Sequence, residues 1–129
     1  MPDQSQPSRP VEVYKQIIDQ LVERSPSLGA RLVTEQGIYS KAPALKTLNE
    51  LVESLTPQQR AVLAEILAHE RWSAIHDVLA ALTWWIDARN VGLTYRGEPM
   101  PTQLSEMGLH GDYVGRRDGW EWPKDENPA

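Results

Sequence analysis

Thr56-Pro57-Gln58-Gln59-Arg60-Ala61-Val62-Leu63-Ala64-Glu65-Ile66-Leu67 is the stretch whose reading decides the fold. Thr56 is a good N-cap. Pro57 suits the first helical position, where a missing N–H costs nothing, and Gln59 completes a capping box. Val62, Leu63, Ile66 and Leu67 then fall on one helical face. Neither Gly nor Pro recurs until Gly92, so the helical pattern continues far beyond the usual length of a helix in a small domain. This length predicts a break near Arg71-Trp72-Ser73, with Ser73 as a second N-cap. A further helix follows, burying Ile75, Val78, Leu79, Leu82 and Ile86 and stopping at Asn90-Val91-Gly92.

Two more helices are expected upstream. Val11, Tyr14, Ile17, Ile18, Leu21 and Val22 recur at spacings of three and four, giving one apolar stripe that ends at Ser25-Pro26. Leu45, Leu48, Leu51, Val52 and Leu55 form another after Ser40, a candidate N-cap. Residues 25–40 carry Pro26, Gly29 and Gly37 with no sustained period and read as a long loop. From Leu93 onward the chain is rich in Gly and Pro but also holds Tyr95, Tyr113, Trp120 and Trp122. Aromatic content of this kind points to an ordered irregular segment. Asp118-Gly119 reads as the turn of a small hairpin over 114–122.

The expectation is therefore a mainly α protein: a four-helix single domain over residues 11–123, with the Gly/Trp-rich C-terminal segment packed on the last helices. Residues 1–10 and 124–129 read as flexible tails.

Composition narrows the function. With 13 basic and 18 acidic residues the formal charge is −5, and the segment from Leu93 is itself net acidic, so neither nucleic acid nor an anionic membrane is an expected partner. Zero cysteines exclude disulfides, a thiolate nucleophile and Cys-based metal sites, and they suit a reducing cytoplasm. No apolar run is long enough to span a bilayer.

Three constellations could carry chemistry. On a continuous helix His69, Ser73, His76, Thr83 and Asp87 form a polar stripe beside the core face, the vocabulary of a general-base or metal site. His69 and His76, however, stand seven residues apart, about 10.5 Å along the axis, so one ion cannot bridge them on an unbroken helix. No HExxH pattern is present, and neither metal nor cofactor is expected. Second, Trp84 falls opposite the core with Asp77, Ala81 and Ala88, so that side needs a cover, either the C-terminal segment or another subunit. Third, Arg116 and Arg117 stand among glycines and aromatics near His110 and Trp120, where they either clamp an anion or pair with Asp112, Asp118 or Glu121.

No Gly-x-Ser-x-Gly elbow and no paired carboxylates support hydrolysis. The favoured expectation is a cytoplasmic, non-catalytic interaction or regulatory module, homodimeric or bound to another protein through the Trp84 face and the aromatic segment. The alternative is a small-ligand binder or enzyme with a pocket between the His69/His76/Asp87 edge and His110, Arg116 and Trp120.

Overall fold

The computed structural model describes residues 8–124, so of the expected flexible tails, 1–10 and 124–129, all but residues 8–10 and 124 lie outside the described residues, and Pro10 already opens the first helix. The protein is mainly helical with a small antiparallel hairpin, as the hydrophobic periodicity predicts. In chain order come α1 (Pro10–Glu23), α2 (Leu28–Gln36), a 3-10 turn (Pro43–Leu45), α3 (Lys46–Ser54), α4 (Pro57–Arg89), β1 (Leu93–Tyr95), β2 (Glu98–Met100) and α5 (Gly108–Arg117). The chain divides into two compact units, residues 24–75 and residues 1–23 with 76–129; α4 contributes to both.

The capping box at the start of α4 forms as expected. The Thr56 N–H donates to Gln59 Oε1 at 2.9 Å and the Gln59 N–H donates to Thr56 Oγ1 at 3.1 Å. The expected break at Ser73 does not occur. Ser73 carries no cap, its hydroxyl lying 3.5 Å from His69 Nδ1, and α4 runs unbroken for 33 residues. With no Gly or Pro to stop propagation, a mid-helix serine costs only a few tenths of a kcal/mol, about the spread of ordinary propensities.

In the 24–75 unit, residues 25–40 are not a loop but hold α2. Ser27 Oγ caps it by accepting from the Ala30 N–H at 3.2 Å, and Gly37, at φ 66°, ends it in the left-handed conformation. Leu32 and Val33 are buried on its inner face, and Val52 is buried on α3. Arg60 ties α4 to the end of α3 by donating to the carbonyls of Val52 at 3.0 Å, which also accepts the Leu55 N–H, and of Glu53 at 3.1 Å.

In the other unit α1 packs against α5 and against both strands. Its core is Tyr14, Ile18, Leu79, Leu109 and Tyr113. The hairpin lies at 93–100 rather than 114–122: Leu93 pairs with Met100 and Tyr95 with Glu98 across Arg96-Gly97, both with positive φ. Residues 108–117 are helical. Asp118-Gly119 does turn the chain, but as the end of α5.

Candidate functional site

The C-terminal half of α4 is rotated from its expected orientation. Leu79 and Thr83 are buried, whereas Val78, Leu82, Trp84 and Trp85 are 60%, 45%, 55% and 48% exposed. Leu82 and Val78, expected in the core, instead join Trp85 in an outward stripe at i, i+4 and i+7. Trp84 and Trp85 meet edge to face, ring centroids 5.1 Å apart, and the Arg89 guanidinium lies 6.0 Å from the Trp85 ring. The Trp84 side is thus not covered by the described part of the C-terminal segment.

Thr83 lies at the centre of the buried face. Its hydroxyl donates to the Leu79 carbonyl at 2.9 Å and accepts the Leu109 N–H at 3.1 Å. His110 Nδ1 lies 3.3 Å from the same oxygen. A Cβ on Gly108 would stand 2.7 Å from Thr83 Cγ2, so only glycine lets α5 approach so closely.

The polar stripe separates. His76 meets His110 edge-on at 5.3 Å and its Nδ1 lies 3.4 Å from Asp77 Oδ1. His69 belongs to the 24–75 unit, with its ring 5.9 Å from Trp72. Asp87 is exposed on α4. Among the described residues no group of three or more His, Asp or Glu side chains could hold a metal ion.

Arg116 is committed elsewhere. Its Nε and Nη2 donate to Asp19 Oδ1 at 2.7 Å and Oδ2 at 3.2 Å, its Nη1 donates to the Trp120 carbonyl at 2.7 Å, and its guanidinium stacks 5.0 Å from the Trp122 ring. The Trp122 indole N–H donates to Asp19 Oδ2 at 3.1 Å. This is a bidentate pair sealed by an aromatic ring, and it docks the C-terminal segment on α1. The expected acid partners Asp112, Asp118 and Glu121 were too local: Asp19 comes from the other end of the chain. Arg117 is exposed at the end of α5.

Asp112 holds the most buried polar contact. It accepts from the Tyr14 hydroxyl at 2.5 Å, the Leu104 N–H at 2.7 Å and the Ser105 N–H at 2.9 Å. Burial first, then the carboxylate beside it, pushes the Tyr14 phenol far above its ordinary pKa. The arrangement fixes the 104–105 segment; it leaves no acceptor pointed at solvent. Beside it Trp120, Met107 and Gly111 line an apolar hollow of about 470 Å³. Neither Tyr14–Asp112 nor Thr83–Leu109 had a sequence signal, because long-range pairing leaves no spacing to read.

No helix among the described residues is long and apolar enough to cross a membrane. Comparison with curated proteins and with solved structures gives no match to this chain. A family model does match nearly its whole length, residues 7–124, and the chain belongs to that family, DUF6547, a family of unknown function.

Proposed function

We propose that this chain is a non-catalytic interaction module that self-associates along the outward stripe of α4. The observation that carries the reading is the exposure of Val78, Leu82 and Trp85 at successive turns of one helix, with Trp84 against them. Their exposed parts sum to roughly 400 Å² per copy, at the size where patches on soluble proteins usually serve an interface. Spacing of i, i+4 and i+7 is also what a second helix lying alongside requires. Arg89 beside Trp85 would form part of the polar rim. A second copy of α4 offers the same stripe, so a two-fold pairing buries it on both sides at once.

Chemistry has weaker support. Arg116 is engaged by Asp19, and His110 by Thr83, which removes two of the polar groups a pocket at the α4 edge would need. The cytoplasm, as the cysteine-free composition suggests, is part of the same proposal.

Sedimentation equilibrium tests it. The full chain is expected to form dimers in the micromolar range, and Leu82→Glu, on the exposed stripe, to be monomeric with an unchanged melting temperature. A chain that stays monomeric throughout that range overturns self-association, and dimers that persist in Leu82→Glu place the contact elsewhere.

A further inference from the structure

The 24–75 unit holds a cleft of about 560 Å³ between α2 and the segment that returns over it from Tyr39 to Leu45. It plays no part in the α4 stripe. From its walls we infer a binding site for a small amphipathic carboxylate, an acid group on an aromatic or branched apolar body.

The apolar half of the site comes from Leu28, Leu32 and Leu45, with the Tyr39 ring as one wall. Leu28, Leu32 and Gln36 sit at i, i+4 and i+8, so a single face of α2 forms the other wall. Leu28 is 59% exposed although it opens the helix, and the cleft is where its side chain finds apolar neighbours. The ring of Tyr39 lies so close to α2 that a Cβ on Gly29 would stand 2.7 Å from it. Glycine at that position thus lets the wall close in.

The polar half is cationic. Arg31 and Lys41 line the cleft and no Asp or Glu does, in a chain where acids outnumber bases by 18 to 13. Arg31 is within 4.0 Å of Glu35, a loose and solvent-exposed contact, and Lys41 makes no ion pair among the described residues. Both cations can therefore turn to a bound anion at little cost.

The returning segment is held in place rather than left to adapt. The Asn49 side chain accepts from the Tyr39 and Ser40 N–H groups at 2.8 and 3.1 Å and donates to the Ser40 carbonyl at 2.7 Å. Ser40 Oγ in turn accepts from the Ala42 N–H at 3.1 Å. A preorganised wall lowers the ordering cost of binding. Its volume, apolar walls and two flanking cations match the usual make-up of a small-molecule site.

The probe is 4-phenylbutyrate, with its neutral amide as control, titrated into the full-length isotope-labelled chain and followed by amide chemical shifts. Saturable shifts confined to residues 28–45 are expected, with a Kd near about 1 mM for so small a ligand. The amide should bind several-fold more weakly, and the double variant Arg31→Gln, Lys41→Gln should lose roughly tenfold, since each exposed ionic contact is worth only a few-fold. Added salt should weaken the acid and spare the amide. Equal binding of acid and amide, undiminished binding in the double variant, or no saturable shift by about ten times that Kd overturns the site. Both substitutions are at exposed residues, and the spectrum of the double variant reports its folding directly. None of these outcomes depends on the oligomeric state set by α4.

Discussion

Tyr14 and Asp112 lie 98 residues apart in the chain, yet the phenol of one donates to the carboxylate of the other at 2.5 Å in a fully buried site. This contact joins α1 to α5 and, through Asp112, pins the Leu104 and Ser105 N–H groups. A buried carboxylate is tolerated only when its oxygens are satisfied, and here three donors do so.

The pair predicts an alkaline loss of stability that one substitution removes. Tyr14 ionises far less readily when folded than when unfolded, where its value is near 10.0. A raised folded pKa means that its contribution is complete below pH 10 and is lost progressively as pH climbs above it. The loss is about 1.4 kcal/mol per pH unit for one proton. Tyr14→Phe should cost about 1–2 kcal/mol at neutral pH, because Asp112 keeps only its backbone donors, and should lack this alkaline slope. Urea titrations of both proteins between about pH 8 and 11 check it; parallel pH profiles would falsify the buried-phenol account.

Gly111 carries the second prediction. A Cβ there would lie 2.3 Å from the Met107 Cβ, an atom fixed to backbone and unable to swing away. Helix propensity alone would favour Gly111→Ala by about 1 kcal/mol. The clash should reverse that sign and leave a net loss of about 1–3 kcal/mol. Thermal melts read it, and a stabilised Gly111→Ala protein would mean that Met107 does not pack against Gly111.

The same glycine shows why the C-terminal segment was the least legible part of the sequence. Gly108, Gly111 and Gly115 make 108–117 look like a loop, because glycine is a poor helix former. Each is there for close approach: Thr83 meets Gly108, Met107 meets Gly111 and Trp120 meets Gly115. Tertiary contact overrides propensity in α5. Local grammar did better where both partners are near in sequence, as in the Thr56–Gln59 box and the apolar stripe of α1. Ser27 and Gly37 bracket α2 as its caps, but Pro26 and Gly29 obscure its periodicity. On α4 the wheel puts Trp84 opposite the core under an expected cover, whereas the ring is exposed; the wheel centres the core on Leu79, which is buried, but also turns Val78 and Leu82 inward, and these are exposed. One buried hydroxyl, Thr83, satisfies backbone groups of two elements from the inner face of α4, and no hydrophobicity pattern records that.

The last prediction concerns the two tryptophans that follow α5. Trp122 shields the Arg116–Asp19 pair: its ring lies over the guanidinium, its N–H donates to the same carboxylate and its edge meets Tyr14 at 6.0 Å. Trp120 instead packs its side chain on Gly115, and it is its backbone carbonyl that Arg116 holds. Trp122→Ala should therefore remove packing, a hydrogen bond and the cover of an ion pair together, at about 2–4 kcal/mol. Trp120→Ala removes partly exposed area and should cost about 1–2 kcal/mol. Against a total stability of about 5–15 kcal/mol, the first change should lower the melting temperature visibly more than the second. Trypsin gives an independent reading, since Arg117 and Lys124 flank the two rings. A docked segment is cut between them only as fast as it opens, so Trp122→Ala should accelerate cleavage after Arg117 more than Trp120→Ala does. Rapid cleavage there in the unmodified protein, with melting curves indifferent to either substitution, would identify the segment as a free arm and the Arg116–Asp19 contact as dispensable.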